Sequence, residues 1–178
     1  MFKIYGALYA SNYVRGKGER KMKERKMNNK GFSLVELIIV IAIMAILIVV
    51  LAPQYLKYVE KSRNSTDVTN ATEIVTALQV YASDPDATTA IPGSAFTIKI
   101  SSGTPDLSET TFTLAALKEA GLLDKDDKLA TRCVSRSNWV SYTITATPKD
   151  GGLKFTYSAD GGSNPGKFAD MMSGKSGS

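Results

Sequence analysis

The sequence contains no histidine and only one cysteine among its 178 residues. Without histidine there can be no His-based catalytic triad, histidine general base or histidine metal site. A single cysteine excludes an intrachain disulfide, a CxxC redox pair and a four-cysteine zinc site. Glycine-rich phosphate loops and serine-nucleophile motifs are also absent. We therefore expect a protein that is not an enzyme and has no cofactor, with a length that suits one globular domain plus an appendage.

The net charge of +5 comes from the N-terminal segment alone. Residues 1–31 contain nine bases and two acids, whereas the rest of the chain contains 13 bases and 15 acids. A basic chain of this size suggests a nucleic-acid binder, but the inference fails if the basic segment is removed or kept apart. Nucleic acid is therefore not implied as a partner.

A long apolar run follows the basic segment. Residues 37–52 are all apolar, and from Phe32 onward the run is interrupted only by Ser33 and Glu36. As a helix, 32–52 would be about 31 Å long, which is the thickness of a bilayer's hydrocarbon core. A core helix of a soluble protein has a polar face, whereas this run is apolar on all sides. It predicts a transmembrane helix, with the preceding bases holding the N-terminus in the cytoplasm.

The alternative is an ordinary secretory signal peptide that is cleaved after Ala52. Against it, the run is long for a signal peptide, and Pro53 is a poor residue to follow a cut. The helical pattern also continues beyond Pro53, so 53–83 is predicted to be the amphipathic half of one long helix, with a kink at Pro53. Its predicted apolar stripe consists of Leu56, Val59, Val68, Ala71, Ile74, Val75, Leu78 and Tyr81, and its predicted polar face of Lys57, Glu60, Lys61, Arg63, Asp67 and Glu73.

Residues 84–160 are predicted to form a small antiparallel sheet domain. Alternating or β-rich patterns predict strands at 95–100, 129–134, 139–147 and 153–157, with a hairpin turn at 148–152 and a short helix at 113–120 that Gly121 ends. Three or four strands need the amphipathic helix to cover their apolar face. The expected class is α+β, a long N-terminal helix packed on a small sheet. The Gly/Ser-rich residues 161–178 are predicted to form a loose tail.

Glu36 is the exceptional residue of the apolar run, because a carboxylate in a membrane segment costs about 2.5–3.5 kcal/mol by insertion scales. Nothing basic lies between 32 and 52 to pair with it. A cut between Gly31 and Phe32 would create a positive α-amino group at Phe32. That amine could pair with Glu36 of its own chain or with Glu36 of a neighbouring chain. The alternative is a carboxylate near the membrane edge that reaches water and has no partner.

The stretch Lys30-Gly31-Phe32-Ser33-Leu34-Val35-Glu36-Leu37, after a basic leader and before an apolar run, resembles the prepilin signature of type IV pilins. The resemblance is specific over about 30–63 and architectural beyond that. It implies a leader, 1–31, that a membrane prepilin peptidase removes after Gly31, and methylation of the new amine of Phe32. It also implies that Glu36 pairs with the Phe32 amine of an adjacent subunit and sets the axial register of a helical homo-oligomeric filament.

The same resemblance implies a location and further partners. The precursor would be a single-pass protein of the cytoplasmic membrane, surrounded by lipid, with its leader in the cytoplasm. An inner-membrane assembly platform would then build the subunits into a cell-surface filament. Adhesion, motility, biofilm formation and DNA uptake all stay open as the filament's task. The lone Cys133 departs from pilins that close a C-terminal loop with a disulfide and favours a Gram-positive-like pilin.

Two rival functions remain. A major pseudopilin of a type II secretion or competence machine shares the N-terminal signature, but such proteins often carry C-terminal calcium ligands, which this tail lacks. A monomeric, signal-anchored extracellular binding domain would retain 1–31 and would have no reason to place Glu36 in the membrane. The leader is also long, so Met1, Met22 and Met27 are all candidate starts.

A few other residues have simpler interpretations. Cys133 is expected to be a small buried residue, and Trp139 a core residue. The acidic stretch 124–127 is expected to be a solvated loop and not a calcium site, because Lys125 interrupts it. Tyr55, Tyr58 and Tyr81 are expected at the membrane interface or against the sheet.

Overall fold

A computed structural model describes residues 31–107 and 110–175. The leader residues 1–30, with the three candidate start methionines, lie outside the described residues. The chain divides into two units between Ile43 and Met44, and each is described by itself. The first holds the beginning of the long helix α1 (Leu34–Ser83), and the second holds the remainder of α1 and the sheet domain.

Helix α1 ends at Ser83, as predicted, and Asp84 and Pro85 follow it. A residue before proline disfavours helical geometry, which explains the boundary. Every residue from 31 to 58 is exposed. The helix is long and apolar enough to cross a membrane, with a mean hydropathy of 3.4 in its most apolar window. An apolar surface of this extent is not stable in water, and it needs lipid or other protein to cover it.

Among its described residues, the sheet domain contains four strands and two short helices. The strands are β1 (Phe96–Ser101), β2 (Asp106–Leu107), β3 (Ser141–Lys149) and β4 (Gly152–Asp160). They form one antiparallel sheet in the order β2-β1-β3-β4, with Ile98 opposite Ile144 and Ile144 opposite Tyr157. The helices are α2 (Thr111–Glu119) and α3 (Gly166–Met172). The expected α+β class and antiparallel sheet are confirmed.

The alternating pattern of β1 explains how the sheet meets α1. Phe96, Ile98 and Ile100 are buried, and the residues between them are exposed. They join one hydrophobic core with side chains of α1 such as Ile74 and Leu78. Trp139 is fully buried in the same core, as predicted. Each fully buried aliphatic side chain contributes about 1.5–3 kcal/mol, so this contact supplies much of the domain's stability.

Local sequence explains the boundaries of α2 and of the β3–β4 hairpin. The Thr110 hydroxyl accepts a hydrogen bond from the Thr113 N–H at 3.1 Å and caps α2. Gly121, with φ of +70°, follows that helix as predicted. Asp150 and Gly151 have φ of +53° and +79°, so the hairpin turns in the two-residue, type I′ manner that Asp-Gly favours.

Three expectations about this domain are wrong. Residues 129–134 form no strand, apart from an isolated bridge between Leu129 and Leu123. Their backbone donors have separate partners and form no ladder: the Ala130 N–H donates to the Leu122 carbonyl, the Cys133 N–H to the Ser101 carbonyl and the Val134 N–H to Asp67. Leu56 is 65% exposed and does not join the buried stripe, because the sheet domain packs on α1 only from residue 59 onward. Glu60 and Asp67 are buried and do not lie on the polar face.

The C-terminal segment is also more ordered than predicted. Residues 161–178 were expected to be loose, but they contain α3, and Phe168 in that helix is fully buried. Its ring stacks on Tyr142 with centroids 4.6 Å apart and meets Trp139 edge-on at 5.4 Å. One large aromatic side chain therefore ties the glycine- and serine-rich end of the chain to the core.

Replacing Phe168 by alanine should lower the free energy of unfolding by about 3–5 kcal/mol, because it leaves a cavity among aromatic rings. Asp170→Ala, at an exposed position of the same helix, is the matched control and should change stability little. Urea unfolding of the full chain in detergent, followed by Trp139 fluorescence, measures both. Equal stabilities for the two variants would contradict the packing role of α3.

Candidate functional site

The N-terminal end of α1 carries the three residues predicted for processing and assembly. Gly31 and Phe32 precede the helix, and Glu36 lies in its first turn. All three are exposed, with Phe32 at 91%. A Cβ atom added at Gly31 would meet no atom within 4 Å. The fold itself does not need glycine at this position, so a demand for a small residue here must come from outside the chain.

Glu36 closes the first turn of α1. Its Oε2 accepts a hydrogen bond from the Ser33 backbone N–H at 2.9 Å, and the Ser33 hydroxyl accepts one from the Val35 N–H at 3.4 Å. This reciprocal arrangement is a capping box, which satisfies donors that a helix N-terminus leaves free. The carboxylate therefore lies at the positive end of the helix dipole. The backbone nitrogen that it binds, that of Ser33, is the next one along the chain after the Phe32 nitrogen.

Pro53 lies inside α1, and the helix continues through it. Its ring removes one backbone donor from the helical hydrogen-bond ladder. The predicted kink at Pro53 stays a prediction. Tyr55 and Tyr58, which follow it, are 67% and 71% exposed, so neither packs against the sheet.

A second polar site lies where α1 meets the sheet domain, and the sequence interpretation missed it. We call it the carboxylate anchor; it consists of Glu60 and Asp67 of α1 and the loop 133–139. Both acids lie on the helix face that carries the buried core, because the positions 60, 64, 67, 71, 74, 78 and 81 follow one another at three- or four-residue steps. That spacing is the signal that places them there, and their acidity concealed it.

One oxygen of Glu60 accepts four hydrogen bonds. Its Oε1 lies 2.6 Å from the Ser135 hydroxyl, 3.0 Å from the Arg136 N–H, 2.8 Å from the Ser137 N–H and 3.3 Å from the Asn138 N–H. Its Oε2 lies 3.6 Å from a guanidinium nitrogen of Arg63. Converging backbone donors of this kind form a nest for an anion.

Asp67 binds the other half of the same loop. Its Oδ1 accepts the Val134 N–H at 2.8 Å, and its Oδ2 accepts the Ser135 N–H at 3.0 Å and the Trp139 indole N–H at 2.8 Å. The Cys133 thiol also donates to Oδ2 at 3.4 Å. Five consecutive backbone N–H groups, 134–138, are thus satisfied by two side chains of one helix.

The anchor shifts the pKa values of two of its groups. Burial alone would raise the pKa of Glu60, but the hydrogen bonds from Ser135, Ser137, Arg136 and Asn138 outweigh it and lower that pKa to about 2. Burial, together with the negative charge of Asp67, raises the pKa of the Cys133 thiol to about 12. Cys133 is buried, as predicted, and its thiol stays protonated and unreactive at neutral pH.

The chemistry of these residues is structural. Within 31–107 and 110–175 no group of three or more His, Cys, Asp or Glu side chains is placed to hold a metal ion. In the loop 124–127, the Asp124 carboxylate accepts the Asp126 and Lys128 N–H groups at 2.9 Å, and Asp127 pairs with Lys118 at 2.9 Å. These contacts use acidic oxygens to hold the loop itself.

Residues 26–52 match the model of the prokaryotic N-terminal methylation motif. The match includes Gly31, Phe32, Glu36 and the apolar first part of α1, so the resemblance to a type IV pilin-like prepilin is confirmed over this segment. The motif marks structural, pilin-type proteins and implies processing by a prepilin peptidase. With the apolar helix it fits a membrane-anchored precursor. No solved structure matches this chain.

The anchor predicts acid-sensitive stability. The unfolded Glu60 carboxyl takes up a proton near pH 4.5, whereas the folded one does so only near pH 2. Its stabilisation is therefore complete above pH 4.5 and is lost as the pH falls to 2, by roughly 3 kcal/mol in all. Urea unfolding of the full chain in detergent at a series of pH values, followed by Trp139 fluorescence, measures the loss.

Glu60→Gln is the matched control for this measurement. It should be less stable than the wild type at neutral pH, and it should lose less stability on acidification. A wild-type chain whose unfolding midpoint stays constant from pH 5 to pH 2, or a variant with the full wild-type pH dependence, would contradict the role of Glu60.

Proposed function

We propose that this chain is the precursor of a structural subunit of a type IV pilus. A prepilin peptidase cuts after Gly31, the new amine of Phe32 is methylated, and the mature chain polymerises into a surface filament. The observation that carries the proposal is the arrangement at the start of α1. An exposed Gly31-Phe32 bond stands directly before a capped helix whose apolar residues, from Leu34 to Ala52, are all exposed.

The exposed apolar helix supports assembly in two stages. Before assembly, membrane lipid covers residues 34–52. After extraction, the same surface needs an equally apolar cover, and the helices of other copies provide one. An inner-membrane assembly platform would carry out the transfer. We call the sheet domain, together with the part of α1 from residue 59 onward, the head. It folds with its own core, so it does not need the apolar half of α1 to be stable.

In the proposed filament, Glu36 pairs with the Phe32 amine of an adjacent subunit. Desolvating two charges is costly, so the pair acts as a register device, and apolar helix packing supplies cohesion. The capping bond from Ser33 holds the Glu36 carboxylate at the helix end, where the amine of a neighbouring chain can reach it.

The proposal is tested by the intact mass and N-terminal sequence of the protein in sheared surface material. We expect a chain that begins at methylated Phe32 in the filament fraction. A chain that keeps its leader and is found only in membranes would instead support the monomeric anchored domain. Gly31→Leu should accumulate as the heavier, unprocessed chain in membranes, because the bulky side chain hinders the peptidase, whereas a Cβ at this position meets no atom of the fold within 4 Å.

Variants of Glu36 separate its two roles. Glu36→Ala should be processed normally but give few or no filaments. Glu36→Gln keeps an oxygen that can accept the Ser33 N–H, since glutamine also serves in capping boxes, but it removes the charge. We expect Glu36→Gln to assemble as poorly as Glu36→Ala, as measured by the filament yield after shearing. Normal filaments from Glu36→Gln would assign the residue to capping and overturn the pairing.

A further inference from the structure

A groove on the sheet domain has no role in the fold or in processing. It lies between α1 and α2 and has a volume of about 670 Å³. Its lining is formed mainly by small or apolar side chains, among them Val68, Thr72, Thr76, Ala77, Ala116 and Leu122. Val80, at one end, is 64% exposed. Small side chains allow another chain to approach the helix backbone closely.

The threonine hydroxyls that line the groove are already hydrogen-bonded within α1. The hydroxyls of Thr69, Thr72 and Thr76 donate to backbone carbonyls four residues earlier, at 3.0, 2.8 and 2.8 Å. Each donor is satisfied within α1, so it needs no water or partner. The groove therefore offers mostly hydrocarbon to whatever lies in it.

The charges along the groove are all acidic. Glu73 of α1 and Glu119 of α2 are both exposed, and no lysine or arginine is among its lining residues. In the part of the chain that the structure describes, neither glutamate is in an ion pair. The groove thus combines an apolar floor with an unneutralised acidic rim.

The complementary surface lies on the same chain, at residues 55–61 of α1. Tyr55 and Tyr58 are 67% and 71% exposed. Lys57 and Lys61 stand beside them, exposed and without an ion pair among the described residues. The segment's one acid, Glu60, is buried in the carboxylate anchor, so the exposed part of 55–61 is apolar and basic.

We propose that the α1–α2 groove of one copy receives segment 55–61 of a second copy. Apolar side chains would meet the groove's hydrocarbon, and Lys57 and Lys61 would face Glu73 and Glu119. The occupant and the groove are different surfaces of one chain, so the contact is heterologous and repeats without closing into a two-fold dimer. The inference rests on the proposed filament, and it names the two surfaces through which neighbouring copies meet.

The contact also sets an axial offset between the two copies, because it places Tyr58 of one copy opposite Thr76 of the other. Tyr58 and Thr76 are 18 residues apart on α1, which corresponds to about 27 Å of helix. Cysteines at these positions cannot join within one chain, because a disulfide needs Cα atoms less than about 7 Å apart. A Tyr58→Cys, Thr76→Cys double variant should therefore form a ladder of cross-linked multimers in oxidised filaments. Each single variant, which lacks one of the two partners, is the control and should give no ladder.

Charge reversal tests the same contact without cysteines. Glu73→Lys with Glu119→Lys, or Lys57→Glu with Lys61→Glu, should lower the sheared filament yield by about tenfold or more, since like charges would then face one another. All four changes together should restore it. Asp106→Lys with Lys154→Glu, on the exposed sides of β2 and β4, is the matched control and should keep the wild-type yield.

The possible results separate this contact from the filament itself. Processing, read from the intact mass, and native Trp139 emission should be unchanged in every variant. If the double-cysteine variant forms filaments in normal yield but shows no cross-link, or if the charge reversals leave the yield unchanged, the groove contact is overturned and the filament proposal stands. The groove contact would also be overturned if the Lys57→Glu, Lys61→Glu variant lost filament yield and the added groove reversal did not restore that yield. This result would assign the two lysines to the membrane surface. Absence of wild-type filaments would overturn both proposals.

Discussion

The position of the sheet on α1 depends on two carboxylates that bind one loop. Glu60 and Asp67 accept all five backbone N–H groups of 134–138, which have no strand or helix partner of their own. Burying these two acids is costly. Burying the same loop without them would leave five amide donors unsatisfied, and this would cost more. Apolar packing alone would tolerate a helix shifted by a turn. The directional bonds of the anchor do not, so they fix which part of α1 the sheet covers.

That division of α1 connects the fold to the proposed assembly. Residues 31–58 are exposed throughout, and from residue 59 onward one face of the helix packs on the head. The head therefore completes its own core and leaves the apolar half of the helix for lipid or other copies. The burial of Glu60 also removes the one acid from the exposed segment 55–61. A single intramolecular contact thus holds the head in place and gives a neighbouring surface its basic character.

Features that depend on neighbouring residues could be predicted from the sequence. The apolar run, the Gly31-Phe32 motif, the alternation in β1 and the Asp150-Gly151 turn all have local causes. The carboxylate anchor joins residues more than sixty positions apart. The helical spacing places Glu60 and Asp67 on the buried face, but it does not identify the loop that they bind. The strand predicted at 129–134 failed because its amides bond to separate partners in a loop, in β1 and on α1, which the local pattern does not indicate. The order of 161–175 depends on Phe168, one aromatic residue in a Gly- and Ser-rich stretch of sequence.

The tip of the β3–β4 hairpin is a suitable position for inserting a foreign segment. Its tip, Asp150-Gly151, is exposed, and a Cβ added at Gly151 would meet nothing within 4 Å. Exposed loop tips accept insertions more readily than any other part of a domain. A short epitope placed there would lie outside the core and outside the carboxylate anchor. If the chain forms filaments, the epitope would recur once per subunit along the fibre, as a dense and regular surface display.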